Sequence, residues 1–332
     1  MTEARVARVT RVDAVGLWAA RIVATLGALA CVWAAVATGA MLVHGHPAYP
    51  VLLVGSFVTC VVVATRAWLT RTVRRRRFKV GRGALLVVGV ALLAGVVWLV
   101  PSSAVEPALS AMVPDARVSV SETPTEIVLA PVGDPQATGV FFQPGARVDA
   151  RAYAAVLRPL AEAGYLVVIP KQPLGIAFLA TGAFAGERAS FPGVTQWIVG
   201  GHSLGGTVAA LDARSYAVPV AESTSGPVGT GGGEPVVGLL LYASYPANDI
   251  SSIDAPVLSV SGSLDGLATP DAIRASRADL PAGTTFDEIP GGVHAFFGDY
   301  GSQAGDGEPT IAHDDARAEI SAATLTFVQS VG

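Results

Sequence analysis

Two hydrophobic patterns divide the chain. Three long apolar runs fill the first third: Leu17 to Val43, Val51 to Leu69 and Ala84 to Val100. Each approaches the roughly 20 residues that cross a bilayer as a helix, and the third is the shortest. None carries the polar face that a helix on the surface of a soluble protein needs. Arg21 and Arg66 sit close enough to run ends for their charged heads to reach lipid headgroups. Trp18, Trp68 and Trp98 also fall near the ends, where interfacial aromatics are favoured. Beyond residue 116 the pattern shortens. Arg117–Ser121 and Glu126–Ala130 alternate and predict an antiparallel pair at a sheet edge. Gly139–Phe142, Tyr165–Ile169, Thr195–Gly200, Val236–Tyr242, Pro256–Ser261 and Thr284–Ile289 read as further strands. Continuous apolar runs among them predict burial on both faces. Helical spacing marks Ala150–Ala163, Leu174–Ala183, Leu204 onward, Ala272–Asp279 and Asp314–Gln329. This alternation predicts an α/β domain: a mostly parallel sheet, helices on both faces, and ligands beyond the carboxyl ends of the strands.

Charge sharpens the division. The 332 residues are 51% hydrophobic and 14% charged, with a mean hydropathy of +0.51, more apolar than an ordinary soluble enzyme. Residues 1–105 hold 12 Lys/Arg against 2 Asp/Glu, and residues 106–332 hold 10 against 24. Arg5, Arg8 and Arg11 lie before or at the edge of the first run; His44 to Pro50 has no Lys or Arg; Arg71, Arg74, Arg75, Arg76, Arg77, Lys79 and Arg82 separate the second run from the third. Basic residues mark the cytoplasmic side, so three spans put the C-terminal domain outside. Between two spans, an arginine cluster is a topology signal rather than a nucleic-acid patch, and the partner it implies is the lipid bilayer with its anionic headgroups. The first run is long for a signal peptide and two more follow, so it reads as an anchor. Both cysteines, Cys31 and Cys60, lie in apolar runs, which excludes a disulfide framework and a thiol nucleophile in the C-terminal domain. His44 and His46 offer too few ligands for a metal. The Pro/Ser/Ala stretch Pro101 to Pro114 reads as a linker. The Gly/Ser/Thr-rich segment 223–234 lacks the Lys-Ser/Thr ending of a phosphate loop and reads as an insertion.

The chemistry gathers at Gly201-His202-Ser203-Leu204-Gly205, between an apolar strand and a helix-forming stretch. Gly-x-Ser-x-Gly in that setting predicts a nucleophile elbow. Gly201 and Gly205 flank Ser203 because a Cβ at either would strike the neighbouring strand and helix. The turn lifts the Ser203 hydroxyl above the sheet and leaves the Leu204 N–H free to bind an oxyanion. Here the chain resembles the α/β-hydrolase superfamily, and more closely its compact, dienelactone-hydrolase-like members. The resemblance covers Ser119 to Val331. The expected division is a membrane region at 1–105 with spans at about 17–43, 51–69 and 84–100, a linker at 106–118, and an α/β-hydrolase domain at 119–332.

A serine needs a base, usually histidine oriented by a carboxylate. His294, in Gly291-Gly292-Val293-His294-Ala295-Phe296-Phe297 after the last strand, is the expected base; His202 belongs to the elbow and His313 opens the terminal helix. Asp265, in Gly262-Ser263-Leu264-Asp265-Gly266, falls between serine and histidine in chain order and is the expected acid. Asp249 is the alternative, and Asp271 suits a helix start. These two segments look like the acid and histidine loops of α/β-hydrolases. A second oxyanion donor should follow the Gly139–Phe142 strand, where many family members carry His-Gly. This chain has Pro144-Gly145-Ala146, and proline has no N–H, so Gly145 or Ala146 is expected. The resulting expectation is a membrane-anchored, extracytoplasmic serine hydrolase of carboxylesterase or lipase type. It would act on a small-molecule or lipid-like ester, with no metal or organic cofactor. An acyltransferase using the same triad and a non-catalytic binding protein are the alternatives. Phe178, Leu179 and Phe184 are candidates for an acyl pocket or for plain core packing.

Overall fold

The computed structural model describes residues 11–70, 79–217 and 235–332. Arg5, Arg8, the arginines at 71 and 74–77, and the 223–234 segment lie outside the described residues. The chain divides into a first unit, Met1–Val43 with Pro47–Val100, and a second, Pro101–Gly332 with His44–His46.

Among the described residues, three long helices make up most of the first unit: α1 (Arg11–Thr38), α2 (Ala48–Leu69) and α3 (Lys79–Trp98). Gly27 lets α2 and α3 close on α1; a Cβ there would meet Cys60 Sγ at 2.7 Å and a Leu93 methyl at 2.6 Å. The Arg21 guanidinium donates to Ala67 O and Thr70 O at the end of α2 (3.0 and 3.1 Å), satisfying carbonyls that the helix leaves unpaired. Trp18 and Trp68 cross edge to face beside it. Two helices, Ala14–Thr38 and Ala48–Leu69, are long and apolar enough to cross a membrane. The expected third span is shorter, an apolar stretch of Gly83–Trp98.

The second unit is built on an eight-stranded sheet. Its strands are β1 (Val118–Glu122), β2 (Glu126–Pro131), β3 (Thr138–Gln143), β4 (Leu166–Pro170), β5 (Gln196–His202), β6 (Val236–Tyr242), β7 (Val257–Gly262) and β8 (Thr285–Ile289). Their order is β1-β2-β4-β3-β5-β6-β7-β8. β1, β2 and β4 pair antiparallel, and every pair from β4 to β8 is parallel. The two-residue period of a strand splits each apolar run between two cores. Val140, Phe142, Ile198 and Leu240 face one, with Leu157 and Leu160 of α4 (Ala154–Glu162) and Phe327 and Val328 of the C-terminal helix (His313–Val331). Phe141, Val199, Leu239 and Leu241 face the other, with Phe184 of α5 (Ala183–Ser190) and Ala209, Ala210 and Ala213 of α6 (Leu204–Tyr216). Phe184 is fully buried against Phe141, Trp197 and Tyr216, so it is core and not pocket lining. In chain order the last two helices are α7 (Pro270–Ala275) and α8, the C-terminal helix.

Two expectations change. Leu174–Ala183 is not one helix but two short turns, Pro173–Gly175 and Ala177–Ala180. Leu174 and Gly175 take left-handed φ values of 56° and 66°, and Gly175 O accepts the Arg147 N–H at 2.7 Å. A bond to the turn after β3 overrides the local helical preference. Residues 101–114, expected as a linker, are tied into the second unit. Ser102 and Arg147 bond through their backbones at 2.7 Å, Ala104 N–H donates to Asp149, and Val105 N–H donates to Asp299 O.

Candidate active site

β5 ends at His202, and the next residue leaves it through an unusual turn. Ser203 has φ 52° and ψ −123°, a left-handed φ that costs a non-glycine residue on the order of 1–3 kcal/mol. The surroundings hold it there. Ser203 N–H donates to Tyr242 O at 2.9 Å; its carbonyl accepts from Gly206 N–H, Thr207 N–H and Ser244 Oγ. The glycines act as the sequence implies. A Cβ on Gly201 would strike the backbone of Gly205 and Gly206, and one on Gly205 the carbonyls of Gln143 and Pro144. Leu204 opens α6, and its N–H makes no hydrogen bond among the described residues.

Asp265 follows β7 and is buried, with its Oδ1 fixed by the N–H groups of Leu267 and Ala268, both at 2.7 Å. Its Oδ2 lies 2.8 Å from His294 Nδ1, and both side chains are shut off from solvent. His294 opens a short turn, His294–Phe297, after β8. Its Nε2 is buried and has no hydrogen-bond partner among the described residues, Ser203 Oγ included. Hydrogen bonds of this kind are often loose before substrate binds. The elbow and the histidine turn meet through the His202 ring, 4.6 Å from that of His294. The other acids stand elsewhere. Asp249 is exposed and caps its own turn by accepting the Ser251 N–H; the Ser251 hydroxyl first, and that N–H second, hold its carboxyl below the usual range. Asp271 is exposed in the first turn of α7. His313 stacks on Phe296 at 4.4 Å, 3.5 Å from Asp299.

His202 points into the core. Its Nδ1 is 2.8 Å from Tyr153 Oη, and burial pushes its pKa well below the ordinary histidine value, so the ring is neutral. Tyr153 Oη also accepts the Gly145 N–H at 2.9 Å. Gly145 is therefore already engaged, and of the two expected donors Ala146 has the N–H without a partner among the described residues. Gln143, just before this loop, donates from Nε2 to buried Asp212 of α6 at 2.8 Å. Burial raises the Asp212 carboxyl to about 7, against the lowering effect of that bond. Tyr153 and Asp212 were not marked by the motifs, and neither was Asp306. The Asp306 carboxylate accepts from the N–H groups of Gly266, His294, Ala295 and Gly307. Its only sequence signal is an acid between two glycines, Gly305-Asp306-Gly307, downstream of the histidine. Phe178 and Leu179, at 45% and 57% exposure, remain open to solvent.

A profile of the family described as the alpha/beta hydrolase family matches residues 139–318. No curated protein matches the chain. Among the solved structures similar to it are three with named activities. One is a protein assigned as a dienelactone hydrolase from Klebsiella pneumoniae, 15% identical with a TM-score of 0.43, over 63% of this chain and 96% of its own. Another is the esterase domain of a Rhodothermus marinus protein, 13% identical with a TM-score of 0.45, over 65% and 100%. The third is a monoacylglycerol lipase from Paleococcus ferrophilus, 13% identical with a TM-score of 0.43, over 62% and 98%.

Proposed function

The chain belongs to the alpha/beta hydrolase family, and on that footing we propose that its second unit is a serine hydrolase. It cleaves ester or related acyl bonds through Ser203, His294 and Asp265. The observation that carries this is the buried Asp265–His294 pair, at 2.8 Å, whose imidazole packs 4.6 Å from the ring of His202, the residue before a serine held at φ 52°. Ser203 Oγ attacks the substrate carbonyl while His294 Nε2 takes its proton. Asp265, accepting from His294 Nδ1–H, fixes the tautomer and stabilises the imidazolium. The N–H groups of Leu204 and Ala146 hold the developing oxyanion. His294 returns the proton to the leaving alcohol, and water then attacks the acyl-enzyme with the same base. The substrate is a small-molecule or lipid-like ester of the carboxylesterase or lipase type. A fluorophosphonate probe tests the reading on the full-length protein in detergent. Wild type should form a covalent adduct and Ser203→Ala none; a folded wild type that stays unlabelled would sink it.

The first unit is proposed to anchor the enzyme in a bilayer by three passes. Support comes from apolar side chains that face outward on all three helices, including Leu29 at 60%, Val54 at 61% and Leu85 at 73% exposure. Such faces are costly in water and at home in lipid. The third helix as a whole, Lys79–Trp98, has 20 residues, which span about 30 Å at the usual rise. With the basic loops inside, the second unit lies outside the cytoplasm. A cysteine at exposed Asp134 (Asp134→Cys) should react with an impermeant maleimide on intact cells. Reaction only after lysis would reverse the orientation.

A further inference from the structure

A triad works only if its acid and base loops keep one register. Here Asp265 and His294 come from turns after different strands, β7 and β8. Their backbones meet closely: a Cβ on Gly262 would strike the Gly292 carbonyl, and Leu264 N–H donates to Gly292 O at 2.9 Å. A third segment, residues 303–307, lies against the acid loop. A Cβ on Gly307 would strike Leu264 O, and one on Gly266 would come within 2.5 Å of Gly305 O. Its side chain Asp306 reaches both turns. Oδ1 accepts from Gly266 N–H, directly after the acid, and from His294 N–H, the base itself, each at 3.1 Å. Oδ2 accepts from Ala295 N–H at 2.8 Å. The fourth bond, from Gly307 N–H at 2.8 Å, fixes the carboxylate in its own loop.

We infer that Asp306 is a positioning residue of this site: its carboxylate holds the acid turn and the histidine turn in the register that lets Asp265 meet His294. The inference rests on the triad reading above. A carboxylate that accepts several N–H groups at once is bound more firmly than a neutral acceptor, because each bond is charge-assisted. It also places a second negative charge near the imidazolium that forms when Ser203 gives up its proton. The groups facing His294 are Asp265 from the β7 turn, Asp306 from the 303–307 segment, and His202 from the elbow, which burial keeps neutral. Buried Tyr300, bonded to Gln303 at 3.0 Å, completes the surroundings; its hydroxyl is held in the protonated form by burial, with Tyr153, Asp306 and Asp265 adding to the shift.

The test uses the full-length protein in detergent, p-nitrophenyl butyrate as the ester, and thermal melting alongside. Asp306→Asn keeps the shape but loses the charge and turns one acceptor into a donor facing N–H groups. The expected result is a kcat about 10- to 100-fold lower with KM within about twofold of wild type. Asp306→Glu keeps the charge but moves it by a methylene, so kcat should fall less than in Asp306→Asn, with KM again within about twofold of wild type. If Asp306→Asn does not fold, Asp306→Glu carries the test alone. A folded Asp306→Asn with wild-type kcat overturns the inference. So does a loss of kcat/KM that lies wholly in KM, and so does a chain that folds with neither variant, which would confine Asp306 to folding. Absence of a fluorophosphonate adduct on wild type, by contrast, removes the triad reading itself before Asp306 is reached.

Discussion

Asp265→Asn lowers kcat by about four orders of magnitude and leaves the fold in place. The magnitude is the one typical of Ser-His-Asp sites whose acid becomes an amide. The direction follows from the hydrogen bonds. Oδ1 of Asp265 is fixed by two N–H groups, from Leu267 and Ala268, each at 2.7 Å. In the variant the amide oxygen must stay there, because an NH2 would face two donors. The amide nitrogen then points at His294 Nδ1, 2.8 Å away in the wild type. A donor at that point requires Nδ1 to be the acceptor, which puts the ring proton on Nε2. An Nε2 that already carries a proton cannot take one from Ser203. Shape is conserved and no charge is left buried without a partner, so the melting temperature should change little. Hydrolysis of p-nitrophenyl butyrate with parallel melting checks both halves. Asp249→Asn is the control, since that carboxylate is exposed and caps only its own turn. A wild-type rate for Asp265→Asn, or the large loss in Asp249→Asn instead, would assign the acid elsewhere.

What the sequence discloses about this fold depends on how local each constraint is. The strand Val236–Tyr242 has the same bounds in the sequence reading and in the structure, because a run buried on both faces needs no partner to be recognised. The elbow is equally local: the glycines at 201 and 205 and the strained serine lie within five residues. Asp265 and His294 are readable through chain order, the ends of strands and the likeness of their loops to those of α/β-hydrolases, a weaker rule that nonetheless selects two residues that touch. Other features depend on bonds that no spacing records. Tyr153 takes the N–H of Gly145 and so narrows the proposed second oxyanion donor to Ala146. Asp306 binds four backbone N–H groups, and a backbone donor has no residue type to betray it. The turn at Leu174–Gly175 follows from a bond to Arg147, while its composition suits a helix. In the first unit the sequence marks three apolar runs, but their apolar length separates them: two helices carry a stretch long enough to cross a membrane and the third carries a shorter one, Gly83–Trp98.

The steric closure of the elbow sets the second large effect, that of Gly205→Ala. One added methyl group at this position meets the carbonyl oxygens of Gln143 and Pro144, with the Gln143 carbonyl carbon 2.7 Å away. These are backbone atoms at the end of β3, bound into the sheet by β5 on one side, and no rotamer change can move them. Overpacking of this kind costs about 1–3 kcal/mol and occasionally more. For a domain of this size about 3 kcal/mol corresponds to a fall in melting temperature of roughly 6–12 °C. Activity should fall further than stability. Gln143 and Pro144 lead directly into Ala146, so relief of the clash pushes the loop away from α6 and separates the N–H of Ala146 from that of Leu204. Loss of one oxyanion donor alone costs about 10²- to 10³-fold in kcat. Gly186→Ala supplies the contrast. That glycine lies inside α5 with nothing within 4 Å of the added Cβ, and alanine is the better helix former by about 0.5–1 kcal/mol. Its melting temperature should hold or rise, with kcat unchanged. If Gly205→Ala behaved like Gly186→Ala in both measurements, the β3 loop would not rest on the elbow, and the oxyanion site formed between them would have to be sought elsewhere.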